Sequence, residues 1–452
     1  MKWLFCLIIL PIRFSSFSQN LITSNSREIV FRSVNVIPMD VERVLPNQVV
    51  VVKDGKITAI GSGKKIKWSK TAFVIDGKGK YLLPGLAEMH AHVPPIDDLQ
   101  PMKEVLLLFV ANGVTTIRGM LGHLRHLELR SKIQTGEILG PYFITSGPSL
   151  NGNTVKSPQQ ADSTVRNQKE AGYDFLKLHP GLTLENFNAI VKTAKEVNIP
   201  FAGHVSFDVG IWRAIEAGYA TIEHLDGFIE GLLPESVISN EQQNGLFGMF
   251  VADKADTNRI IKLMKALHDK NIWVVPTQSL AERWFAPVKA ETLLAEPEMK
   301  YMSKNTLNIW TTNKNTLMNN PKYDSAGIQR FISLRKKLIN SCHKNGVGLL
   351  LGSDAPQVFD VPGFSVHHEL KYMVDAGLTP YEALCMGTKN VGLFLNQPDR
   401  GIIKPGAIAD LVLLNGNPLT DIRQSKNIEG IMLKGQWLNR KWIDQTLKEL
   451  EK

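Results

Sequence analysis

At 452 residues the chain exceeds the ~100–200 residues of a usual single domain, although an α/β barrel reaches this length as one unit. Its 43% hydrophobic and 21% charged residues exclude a disordered or collagen-like chain. The balance of 52 Lys+Arg against 43 Asp+Glu is basic, but no long basic block interleaved with aromatic residues occurs, so nucleic-acid binding is not expected.

The chain starts with Met1-Lys2, an apolar run from Trp3 to Ile12, Arg13, and Ser16-Phe17-Ser18. That order is the form of a secretory signal peptide over residues 1–18, and the run is too short to span a bilayer. Export to the periplasm or the exterior is the expectation, with no stable membrane span after cleavage. An uncleaved anchor stays open because Arg13 interrupts the end of the run. Cys342 and Cys385 follow in helical text without metal-ligand spacing, and they are expected to be buried and unpaired.

From residue 28 to 84 short alternating strands dominate, and Asp54-Gly55 between two apolar runs is a hairpin signal. From Gly85 the text changes to short apolar strands alternating with helix-length amphipathic stretches, the form of a parallel α/β array. Eight strands are expected before residue 400: the run ending at His92, then 113–118, 142–146, 175–179, 200–204, 221–224, 272–276 and 347–354. With intervening helices they fit a (β/α)8 TIM-like barrel over 85–400, whose site would lie at the C-terminal strand ends. The stretch 278–324, with Trp284, Phe285, Tyr301 and Trp310, opens from that face; it is read either as a lid or as aromatics that pack the insert onto the barrel. Strand text returns over 401–441, so both chain ends are expected to pair into a small β-sandwich domain.

The strand ends carry the chemistry. His90 and His92 sit at i and i+2 and share a face of their strand. Later strands end in Lys177, His204, His224 and Asp354, and four imidazoles with a carboxylate make a site for one or two divalent ions. Arg118, at the end of the second strand, either binds a substrate carboxylate through its planar fork or pairs with a carboxylate in the barrel wall. His179 shares a face with Lys177 and either touches substrate or competes as a ligand. His123 and His126 read as surface residues rather than ligands, and His367 and His368 as helix packing, with one of the two lining the mouth as the alternative.

Leu83-Pro84-Gly85-Leu86-Ala87-Glu88-Met89-His90-Ala91-His92, Asp174-Phe175-Leu176-Lys177, Gly203-His204, Ile222-Glu223-His224, Gly352-Ser353-Asp354-Ala355-Pro356 and Lys404-Pro405-Gly406-Ala407-Ile408-Ala409-Asp410-Leu411 are motifs of one family. On them the chain resembles the metal-dependent amidohydrolase superfamily, in the subgroup of imidazolonepropionases and exported Xaa-Pro dipeptidases. The resemblance implies that His90, His92 and Asp354 hold one metal ion, that His204 and His224 hold a second, and that Lys177, carboxylated on its amine, bridges them. Zinc is the ion expected, and an ion pair of Lys177 in a one-metal site is the alternative. Asp354 would act as general base and then acid toward a metal-activated water.

The implied reaction is cleavage of an amide or peptide C–N bond in a short peptide or N-acyl amino acid. Cyclic-amide or lactone hydrolysis, and a catalytically silent binding protein on the same scaffold, are the alternatives. Deamination of a base is disfavoured because Gly203-His204-Val205-Ser206-Phe207 lacks the acidic residue that deaminase relatives carry after that histidine. A homo-oligomer stays open.

Overall fold

The computed structural model describes residues 22–452 apart from 24, 26, 238 and 239. The expected signal peptide over 1–18 lies outside the described residues. Six strands precede the α/β array: β1 (Ile22–Thr23), β2 (Ile29–Val36), β3 (Leu45–Lys53), β4 (Lys56–Ser62), β5 (Phe73–Asp76) and β6 (Tyr81–Pro84). The hairpin read from Asp54-Gly55 is present, with β3 antiparallel to β4 and positive φ at both turn residues (51° and 70°). Such φ values are the type I′ requirement that selects this dipeptide.

The array follows. β7 (Leu86–Ala91), β8 (Val114–Gly119) and β9 (Tyr142–Thr145) pair in parallel, as do β10 (Leu176–Leu178), β11 (Phe201–Gly203), β12 (Thr221–Glu223) and β13 (Trp273–Val275). Parallel bridges Ser146–Phe175 and Leu150–Leu178 join the end of β9 to β10. Every residue of β7 and β8 is buried, as expected for strands covered on both faces. The intervening helices begin where a short polar side chain caps an exposed N–H: Asp98 before Leu99–Ala111, Ser157 before Pro158–Glu170 and Thr183 before Leu184–Glu196.

The expected eighth strand is less regular than its text. Leu350 N donates to Val274 O at 3.0 Å, and Met89 N donates to Leu351 O at 2.8 Å, so the segment lies between β13 and β7. Leu351 N turns instead to Met386 O, which breaks the ladder.

β14 (Leu411–Leu414), β15 (Ile428–Leu433) and β16 (Gln436–Asn439) close the chain. They join the N-terminal strands through β14–β6 pairing in one nine-stranded sheet, where a small β-sandwich built from both chain ends was expected. The physical reason is that β6 runs directly into β7, so the last strand of one domain is also the template on which the returning chain pairs. Cys342 and Cys385 are unpaired thiols, as expected. Among the described residues no helix is long and apolar enough to cross a membrane.

The insert after β13 is helical. Phe285, Tyr301 and Trp310 are buried, and Tyr301 and Trp310 pack with Leu108, Phe359 and Leu450. These contacts match the packing reading of its aromatics.

Candidate active site

The C-terminal ends of β7, β10, β11 and β12 bring the expected residues together. His90, Lys177, His224 and Asp354 are buried, while His92, His179 and His204 are partly exposed and mark the open side. The ring centroids of His90 and His224 are 4.5 Å apart, as are those of His204 and His224. Nitrogen and oxygen atoms of His90, His224 and Asp354 lie within 4.8 Å of one another. His92 Nε2 stands 2.6 Å from Asp354 Oδ1.

Three imidazoles are fixed through the same ring atom. His90 Nδ1 meets Glu223 Oε2 at 2.7 Å, His204 Nδ1 meets Asp226 Oδ2 at 3.0 Å, and His224 Nδ1 meets Thr277 Oγ1 at 2.8 Å. This leaves Nε2 of each ring for an ion, the usual arrangement around metal-binding histidines. Burial, with the neighbouring positive charges, pushes His204 and His224 well below the ordinary imidazole range, so both are the neutral rings a metal requires. Burial opposes the Asp354 charge, but His90 and His92 outweigh it and hold the carboxyl well below the usual range.

Lys177 carries the strongest sign of a missing neighbour. Its Nζ is buried without a hydrogen-bond partner, and burial lowers the ammonium to about 8 against the pull of Glu223 and Asp354. An unpaired ammonium buried in such a place is costly. The donor set of imidazole nitrogens and carboxylate oxygens, with these unpartnered atoms, fits divalent ions.

The local backbone serves the site. His224 and Asp354 have positive φ (62° and 72°), as does Thr277 (47°), so three site residues sit in the left-handed region that L side chains rarely adopt. Arg335 donates to His224 O at 2.6 Å and Pro276 O at 2.7 Å, bracing that turn from beneath. Glu88 accepts from Ser353 N at 2.7 Å and Ser353 Oγ at 2.6 Å, tying β7 to the Asp354 loop.

Of the two readings of Arg118, the geometry matches the pairing one. The side chain is buried; its Nη2 donates to Glu223 Oε1 at 2.8 Å and its Nε to Met89 O at 2.8 Å. His179 stacks on His204 at 4.9 Å, at the edge of the cluster. His126 is a correction: it is buried, not on the surface, with Nε2 3.1 Å from Pro94 O and a ring lowered by burial to about 4. It falls on the inner side of helix Leu124–Gln134, three residues after the helix cap His123.

Sequence reasoning missed Glu223, Asp226 and Thr277 as partners of the histidines. It also missed Phe247, whose ring lies 5.1 Å from that of His224 and 6.1 Å from that of His204.

A profile of the amidohydrolase family matches residues 81–438. Ochratoxinase from Aspergillus niger is 24% identical over 456 residues, covering 86% of this chain and 81% of that protein. Imidazolonepropionase from Idiomarina loihiensis is 22% identical over 422 residues, covering 88% and 92%. Adenine deaminase from Clostridium perfringens is 25% identical over 244 residues, so this chain spans 40% of that relative's length. The fold is similar to that of a Xaa-Pro dipeptidase crystallised with methionine, with a TM-score of 0.66 at 20% identity over 91% of this chain and 100% of that one.

Proposed function

Because the chain belongs to the amidohydrolase family, we propose that it hydrolyses an amide or peptide C–N bond of a small substrate, a short peptide or N-acyl amino acid. The reading places the residues on a closed (β/α)8 barrel, supported by the bridges between β9 and β10 and by the bonds of the 347–351 segment to its two neighbours. His90, His92, Lys177, His204, His224 and Asp354 would hold one or two divalent ions, with zinc the expected one. The observation that carries it is the convergence of these side chains, with His90, His204 and His224 each pinned at Nδ1.

Ions held there supply an acidified water and a polarised carbonyl. Asp354, kept anionic, takes the proton of the attacking water and passes it to the leaving nitrogen. A Lys177 amine lowered to about 8 is neutral in part near neutrality, and its lone pair can add carbon dioxide with loss of a proton, giving an anionic carbamate oxygen ligand. Residues 1–18 direct export. The match to imidazolonepropionase over most of both chains supports a cyclic amide as the second reading.

The test is turnover of dipeptides, N-acetyl amino acids, cyclic amides and adenine by the metal-reconstituted protein and by Asp354→Asn. Hydrolysis of an acyclic amide, lost by more than about a thousandfold in D354N, is expected. Ammonia release from adenine without amide cleavage, or full turnover by D354N, would overturn the assignment.

A further inference from the structure

A cavity of about 450 Å³ adjoins the open side of the site, with His204 and Asp226 in its wall. Its sides are apolar: Phe207, Leu246, Phe247, Met249 and Phe250. Its charged groups beyond the site are anionic, Glu230 on the short helix Phe228–Leu232 and Glu241 on Glu241–Asn244; Ser206, Gln242 and Asn320 are neutral, and no Lys or Arg is among the described residues that line it.

Glu230 has no counter-charge. Its Oε2 is buried outside regular hydrogen-bond geometry, and the side-chain amide of Asn244, 1% exposed, stands close enough to favour its charged form. Arg259 and Lys262 line a neighbouring cavity that Glu230 also borders, yet no cation is among the groups that shift its carboxyl. Burial, reinforced by the nearby Asp226, raises the carboxyl to about 7. A carboxylate in this state is stabilised by a cation brought to it, and it rejects an anion. An apolar sleeve ending in an unpaired carboxylate matches one shape of ligand: a hydrocarbon stem with a terminal cation.

We infer that this cavity is the specificity pocket of the hydrolase and that Glu230 selects substrates whose residue next to the scissile amide carries a basic side chain, lysine or arginine. The inference rests on the amide-hydrolase reading and deepens it. The methylenes of such a side chain pass along Phe247 and Met249, and its ammonium or guanidinium head reaches Glu230. Glu241, exposed at the rim, adds long-range attraction that salt screens.

Norleucine is the probe that separates charge from shape, since it lacks only the ammonium of lysine. For the metal-reconstituted protein, kcat/KM is measured on Ala-Lys, Lys-Ala, Ala-norleucine and norleucine-Ala. In one of the two positions the lysine peptide is expected to exceed its norleucine counterpart by about 10–100-fold, the range of one charge-assisted hydrogen bond. Glu230→Gln, which keeps the shape, is expected to bring that ratio close to one, whereas Glu241→Gln lowers it by less and only at low salt. Equal values for lysine and norleucine in both positions, or an unchanged ratio in E230Q, would overturn the pocket assignment and leave amide hydrolysis standing.

Calorimetric binding of free lysine and free norleucine to the same proteins decides the pocket without turnover. Lysine binding at least about tenfold tighter in wild type and not in E230Q supports it. The same affinity for both amino acids in wild type overturns it, even if none of the peptides is cleaved and the amide reading has failed.

Discussion

Glu223→Gln removes one negative charge at constant shape, and the surroundings let its cost be worked out. Glu223 is buried, with Oε2 2.7 Å from His90 Nδ1 and Oε1 2.8 Å from Arg118 Nη2. Burial pushes its carboxyl up, but Arg118 and His90 outweigh that and hold it at about 2, so the charge is present at every working pH. Without that charge, the Arg118 guanidinium keeps only neutral partners: the amide oxygen of the new glutamine, Met89 O at 2.8 Å and the rings of Phe175 and Phe394 at 5.4 and 5.5 Å.

None of those groups carries a negative charge. Leaving one partner of a buried pair uncompensated costs about 3–5 kcal/mol. Two charge-assisted hydrogen bonds at about 1.5–3 kcal/mol each give about 3–6 kcal/mol, an overlapping range. The assay is denaturant unfolding of chelated wild type, E223Q, Arg118→Met and the double variant. E223Q is expected to lose about 3–5 kcal/mol and the double variant less than the sum of the singles, with a coupling above about 1.5 kcal/mol. Metal affinity of E223Q is expected to fall about 10–100-fold, because His90 loses the partner that orients it. A loss below about 1 kcal/mol with unchanged metal affinity would refute the reasoning.

Gly203→Ala should unfold the region of β11 before any chemistry is tested: φ is 132°, and an added Cβ would meet Leu178 O at 2.2 Å. A soluble G203A protein with native circular dichroism and wild-type melting would contradict this. The Glu298–His368 contact at 2.7 Å ties the insert to helix Phe364–Asp375, and although burial raises Glu298, His368 brings it down to about 2. The folded value lies below the unfolded one, so the unfolded chain binds more protons between pH ~4.5 and ~2, and stability falls as pH falls through that window. Unfolding measured across it should be flatter in Glu298→Gln; an identical slope would show that the pair does not contribute.

The proposed ligands were legible because each stands at the end of a short apolar run, and a strand end in an α/β array faces the site whatever the distance along the chain. Their partners were not. Glu223 lies next to His224, yet its carboxylate crosses to His90 and Arg118, 133 and 105 residues away. Asp226 follows His224 by two residues, but it serves His204. Arg118 shows why one residue allowed two readings: its role depends on a carboxylate in another strand, and sequence does not say which strands are neighbours. His-Leu-Asp after an apolar strand is a signal that could have been used; Phe247, in Gly-Leu-Phe-Gly, had none.

The nine-stranded sheet was half legible. Asp54-Gly55 fixed one hairpin from local chemistry, whereas the pairing of Leu411–Leu414 with Tyr81–Pro84 joins segments more than three hundred residues apart. The aromatics of 278–324 looked alike in text, and only their burial against Leu108, Phe359 and Leu450 gives them a packing role.

Elemental analysis of protein purified without chelator, together with intact mass, tests the central claim most directly. About two divalent ions per chain are expected, with the mass of carbon dioxide on the native protein, and both should fall in Lys177→Ala, whose native counterpart has a buried and unpartnered Nζ. No bound metal, even after reconstitution with zinc, would contradict the account.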